Sequence, residues 1–254
     1  MMLRGAMVLL SLTCASPAFA DTPLDLYLAG KYQPAIDAAI AQNTAAGFAL
    51  ASRATLGEAL IKDAPCLPCL ERAEGYARRA VAQDTTVPEG HIYLAVSLGY
   101  EARILGVARA RLKGMAEEAK SNLDAALKSD PGNAWALTAL GGWNIEVVRG
   151  GGATLARWLY GASASEGVKD FEAAFRKLPG EVALRYQAAL SLSGYDLANY
   201  RKSIEESLSL AIAGKPASSY EMFAQARARE LRDVLAKNDL ARYAQLVRRD
   251  QGYP

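Results

Sequence analysis

The chain has 254 residues, 51% of them apolar, and its 29 Lys+Arg against 27 Asp+Glu leave a net charge of +2. So even a balance carries no electrostatic footprint for a polyanion and speaks against nucleic acid as a partner. Abundant alanine, thinly spread β-branched residues and apolar positions recurring at three- and four-residue spacing predict an all-α protein.

Residues 1–20, MMLRGAMVLLSLTCASPAFA, combine Arg4, an apolar run from Ala6 to Leu12, Pro17, and small residues at Ala18 and Ala20. This is the layout of a secretory signal peptide cleaved after Ala20. Acylation at Cys14 would call for Ala or Gly beside the cysteine and Leu three before it, and Ser11-Leu12-Thr13 supplies neither. No other apolar run reaches the roughly 20 residues of a bilayer-crossing helix. The expectation is an exported, periplasmic chain with no membrane span.

Cys66-Leu67-Pro68-Cys69 has the spacing of thiol–disulfide exchange proteins. Exchange chemistry normally sets the first cysteine at a helix N-terminus beside a sheet, and no βαβ pattern exists here. A structural disulfide closing the loop between two helices is the preferred reading in an oxidising compartment, with a redox role as the alternative. Haem attachment would need His at position 70, which is Leu; zinc would need two further ligands, and no metal is expected. His91, the single histidine, sits just inside a helix start and has no accompanying nucleophile or metal motif, so it reads as packing against the preceding turn.

The segment SNLDAALKSDPGNAWALTALG, residues 121–141, is a helix that stops at Asp130-Pro131-Gly132-Asn133 and restarts. Proline breaks the hydrogen-bond ladder, Gly132 tolerates the reversal, and Asn133 caps the next helix, whose apolar face is Trp135, Leu137, Leu140 and Gly141. The pattern returns 48 residues later in KDFEAAFRKLPGEVALRYQAAL, which matches Leu123 with Phe171, Ala126 with Ala174 and Pro131 with Pro179. A helix this short cannot bury its stripe alone, so the unit is a helical hairpin that stacks on a neighbour.

Ala119, Leu123, Ala126 and Pro131, with Gly167, Phe171, Ala174 and Pro179, resemble the tetratricopeptide repeat family. Weaker copies run through Ala73, Ala77 and Ala80 and through Ile204, Leu208 and Ala211, and Gly30 to Ile36 resembles the turn of a degenerate first repeat. The 48-residue period exceeds the family's roughly 34, the extra residues lying in 106–119 and 147–165. That layout is similar to the tetratricopeptide-like periplasmic proteins associated with TRAP transporters and to the microtubule-dynamics regulator group. The resemblance implies a helical-hairpin solenoid with long inter-helix insertions over 21–214 and no catalysis. Residues 215–254 hold an amphipathic helix with a capping-box start at Ser-Ser-Tyr-Glu and a short basic helix, together capping the last apolar face.

Gly150-Gly151-Gly152 lacks the Lys-Ser/Thr of a phosphate loop and reads as a hinge flanked by Arg149 and Arg157. Trp143, Asn144, Glu146, Arg149 and Trp158 are the candidate lining of a concave binding groove. Arg103, Arg109, Arg111 and Lys113 read as the solvated side of an amphipathic helix. The expected function is a non-catalytic scaffold that binds an envelope protein or peptide, without a cofactor. The alternatives are a small-molecule-binding component of a solute transporter, which an enclosed polar cavity lined by the two insertions would favour, and a thiol oxidoreductase using Cys66 and Cys69.

Overall fold

The computed structural model describes residues 21–62 and 66–254, so the expected signal peptide and its expected cleavage after Ala20 lie outside the described residues. Every element in that range is helical. The first five helices are α1 (Pro23–Leu28), α2 (Tyr32–Ala41), α3 (Ala45–Ile61), α4 (Leu67–Gln83) and α5 (Pro88–Leu105). A short α6 (Val107–Leu112) precedes α7 (Met115–Ser129) and α8 (Ala134–Gly151), and a short α9 (Ala153–Tyr160) precedes α10 (Ala164–Lys177) and α11 (Val182–Ala213). The chain ends with α12 (Ser219–Ala236) and α13 (Leu240–Asp250). None of these helices is long and apolar enough to cross a membrane.

Local chemistry explains the boundaries. Asn133 Oδ1 accepts from the Trp135 and Ala136 amides at 3.1 and 3.0 Å, starting α8. The preceding reversal does not use glycine's left-handed freedom, because Gly132 is absent from the residues with positive φ; Asp130 Oδ1 closes it by accepting from the Gly132 amide. Ser218 accepts from the Glu221 amide at 3.1 Å, and the Glu221 carboxylate reaches back one residue further than the usual box, to the Ala217 amide at 2.7 Å. Within α11 the helical run breaks at Asp196, whose carboxylate accepts from the Asn199 amide and so caps the second half.

The insertions share one construction. Gly106 and Gly152 enter α6 and α9 with φ/ψ of 80/158° and 78/153°, a region open essentially to glycine alone. Gly114 and Gly161 then leave those helices in the left-handed conformation. The repeat is therefore written in backbone geometry as well as in apolar spacing.

Most helices pack on their neighbours in sequence, and the apolar residues anticipated at the repeat positions are buried: Ala73, Ala77, Ala80, Leu123, Ala126, Phe171, Ala174, Ile204, Leu208 and Ala211. At Trp135, Leu137 and Leu140 the burial is only partial. The buried side of α8 runs instead through Ala134, Ala136, Thr138, Gly141, Asn144, Ile145 and Val148. The reason is that α8 is wedged among α5, α7, α10 and α11, so more than one face is covered. Its approach to α10 is close enough that a Cβ on Gly141 would lie 2.7 Å from the Phe171 ring and 2.8 Å from the Gly167 carbonyl.

The C-terminal pair does more than cap. Tyr243, Leu246 and Val247 of α13 join the largest apolar cluster with α11 and α12, while α12 also touches α1 and α3. Among the described residues α12 thus reaches back to the first helices, and the helices surround a central, partly open space.

Candidate functional site

That space is a cavity of about 790 Å³, walled by α1, α3, α5, α6, α7, α8, α9, α11, α12 and Tyr253 of the tail. Its volume falls within the range of small-molecule sites. Its wall is mainly apolar, from Leu56, Ile92, Leu98, Leu123, Leu155 and Leu159 with aromatic faces of Tyr93, Trp135, Trp143 and Tyr160. The room comes from small residues on the inner helices. A Cβ on Gly99 would meet nothing within 4 Å, and one on Gly142 only the Ser191 hydroxyl at 3.7 Å.

Helices α5 and α8 run side by side in the same direction, so each end of the cavity draws on both. Arg53 lies 4.5 Å from the Tyr27 ring centroid and 5.4 Å from that of Trp135, a cation–π sandwich at one end. Beside it, Glu181 and Glu221 share a site. Burial, then the hydrogen bond to Glu221 and that group's charge, push the Glu181 carboxyl up to about 7 against the pull of Arg53. Burial also raises the Tyr93 phenol to about 12, so it stays a neutral donor.

The other end lies ten residues further along α5, about 15 Å at the helical rise. There Arg103 Nη2 donates to Glu146 Oε1 at 3.2 Å, and Arg149 donates through Nε and Nη2 to Glu146 Oε2 at 3.1 and 2.8 Å. Tyr253 donates its hydroxyl to the same oxygen at 2.9 Å and lays its ring 4.5 Å from the Arg149 guanidinium. Arg103 Nη1 also donates to the Gln251 carbonyl, 2.9 Å away, and Gln251 Nε2 donates to the Leu190 carbonyl. Two guanidiniums share one carboxylate, so this end keeps an uncompensated positive charge in a largely desolvated setting. Counting the whole wall, Arg53, Arg103, Arg111 and Arg149 face Glu146 and Glu221.

The five groove candidates separate. Trp143, Glu146 and Arg149 line the cavity, Trp143 being otherwise buried with its indole N–H donating to the Ala116 carbonyl at 2.9 Å. Asn144 is a buried joint between α8 and α10: it donates to Asp170 at 3.1 Å and accepts from the Ser163 amide at 3.2 Å. Trp158 points outward from α9, 79% exposed. Arg53, Arg103, Gly99 and Tyr253 complete the site and were not among the groove candidates; glycines inside helical patterns at Gly99 and Gly142 were the available signal.

Cys66 and Cys69 form a close pair at the start of α4 with Cα atoms 5.2 Å apart, a span suited to a disulfide. His91 is held between Asn122 Oδ1 at 2.7 Å and the Thr85 carbonyl at 3.1 Å, in contact with the preceding turn. Among the described residues, no three His, Cys, Asp or Glu side chains gather as a metal site would require. No protein-family model matches the chain, and no curated protein matches it.

Proposed function

We propose that the protein is an exported, non-catalytic carrier, built on tetratricopeptide-like stacking, that encloses a small amphipathic molecule with an apolar body and a single anionic head. The observation that carries this is a deep, mainly apolar, half-open cavity with a surplus of positive charge at the Arg103–Glu146–Arg149 end. A peptide-binding scaffold needs an extended groove, and the contact of α12 with α1 and α3 on one side of the cavity favours a compact ligand over an extended chain. The cavity is less polar than the transporter-component alternative called for, which moves the ligand from a polar solute towards an amphiphile. A carboxylate or phosphate monoester is the head that paired guanidiniums fit best, because both accept two parallel N–H bonds.

The test is titration of the purified protein with dodecanoate, dodecyl phosphate, dodecanol and dodecylamine, followed by the fluorescence of Trp135 and Trp143. Wild type binds the two anions more tightly than the alcohol and the amine, by about tenfold or more for one charge-assisted pair. Arg149→Met removes that preference and leaves dodecanol binding in place. Gly99→Leu places its Cβ in open space and its branched tip in the cavity, and abolishes binding of all four. If none of the four binds wild type, the carrier reading is wrong; if all four bind equally, the anionic head is wrong.

A further inference from the structure

The two insertions also present an outward surface whose inner edge joins the cavity wall. Three of the most exposed large apolar side chains of the described residues stand on α6 and α9: Leu112 at 88%, Trp158 at 79% and Val107 at 60%. Leu155 and Leu159 of α9 are exposed beside Trp158 and also line the cavity, as Val107 does, so this patch rims an opening into it. Val107 packs toward the end of α8, where a Cβ on Gly150 would lie 3.4 Å from it, which brings the two short helices to the same side of the molecule.

On α6 and α9 themselves the charges have one sign. From residue 104 to 116 and from 147 to 165 the chain contains no Asp or Glu, and it contains Arg109, Arg111, Lys113, Arg149 and Arg157. Lys113 is near enough to Glu101 to lower that carboxyl's pKa, and Arg149 is paired with Glu146. Arg109, Arg111 and Arg157 are exposed and, among the described residues, have no carboxylate within 4.0 Å. Solvated helix faces elsewhere in the chain mix signs, as Arg201 with Glu205 and Lys120 with Asp124 do.

Protruding Leu, Val and Trp ringed by unpaired arginines is the chemistry of a segment that sits in the headgroup layer of an anionic bilayer. The apolar tips enter the acyl boundary, the tryptophan occupies the interface, and the guanidiniums meet lipid phosphates. We propose that α6 and α9 form a docking lip by which the protein rests on an anionic membrane surface, with the cavity mouth turned toward the lipid. A peripheral contact of this kind needs no spanning helix. The proposal stands on exposure and charge at the lip and holds whichever ligand the cavity takes.

Flotation of the purified protein with vesicles tests it, comparing phosphatidylcholine alone with phosphatidylcholine containing phosphatidylglycerol. The protein floats with the anionic vesicles, and added salt weakens the association. Replacing Arg109, Arg111 and Arg157 together by Gln weakens binding on the order of a hundredfold, from about fivefold per cation near the surface. Leu112→Ser with Trp158→Ser abolishes flotation while circular dichroism stays unchanged, since both side chains are solvent-exposed. Gly99→Leu, which blocks the cavity, still floats. Absence of flotation with anionic vesicles overturns the proposal, as does flotation indifferent to both sets of changes. A wild type that self-associates and becomes monomeric in the Leu112→Ser/Trp158→Ser variant also overturns it, marking the lip as a contact between copies.

Discussion

Glu101 shows how far a single side chain can depart from what its letter suggests. It sits on the α5 pattern as one more charged residue, yet it is buried, and its Oε1 has no hydrogen-bond partner among the described residues. Burial first, then the charge and hydrogen bond of Glu74 and the charge of Glu71, raise its carboxyl to about 8, with Lys113 opposing. An unfolded glutamate releases its proton near 4.3, so between about pH 4 and about pH 8 the folded state holds the extra proton. Stability is therefore fullest below the unfolded value and falls as pH rises through the folded one. Glu101→Gln, neutral at every pH, leaves urea stability unchanged near pH 4 and raises it at about pH 8, by up to about 5 kcal/mol. A variant whose stability keeps the wild-type slope over that interval would clear Glu101 of the effect. Residues with purely local roles were legible: Asn133 as a cap and His91 against its turn follow from their neighbours in sequence. Asn144 and Trp158 were not, because which side of a helix faces the cavity depends on partners far away in the chain.

At the scale of elements, the sequence carried the repeat, and the boundaries it indicated at Asp130 and Pro179 are where the helices stop. The insertions were visible only as excess length. What they become, a short helix entered through a glycine-only conformation and left through a left-handed one, depends on backbone angles that composition does not reveal. The pair Gly141 and Gly142 makes the difference between spacing and packing measurable. Gly141→Ala pushes a methyl into the Phe171 ring and the Gly167 carbonyl, so α8 must move off α10 at a cost of about 1–3 kcal/mol. Gly142→Ala meets only ordinary contact and removes a helix-interior glycine, for a gain of up to about 1 kcal/mol. Opposite shifts in thermal midpoint for adjacent substitutions identify the crossing; shifts of the same sign would show that α8 has room on both sides.

For the whole molecule, the all-α class was legible and the closure was not, because it joins α12 to α1 and α3 across nearly the full length of the chain. Apolar periodicity reports which face of a helix is covered and says nothing about which distant helix covers it. The tail was equally silent: Gln251 and Tyr253 are two residues of a short polar end, and only the fold reveals that they tie α13 to α5, α8 and α11. A linear stack of repeats contacts only nearest neighbours, so it can fray from its ends one unit at a time. Here α12 touches α1 and α3, so neither of these distant elements is free to fray without opening that contact. Losing α1 exposes α12, and losing α12 exposes α1 and α3. Denaturant unfolding should then be a single transition with the same midpoint by far-ultraviolet circular dichroism and by tryptophan fluorescence, and the slowest-exchanging amides should include the first helices as well as the middle ones. Deleting residues 251–254, which removes the Gln251 carbonyl that accepts from Arg103, the Gln251 side chain on Leu190 and the Tyr253 hydroxyl on Glu146, should loosen the C-terminal helices and separate the two midpoints.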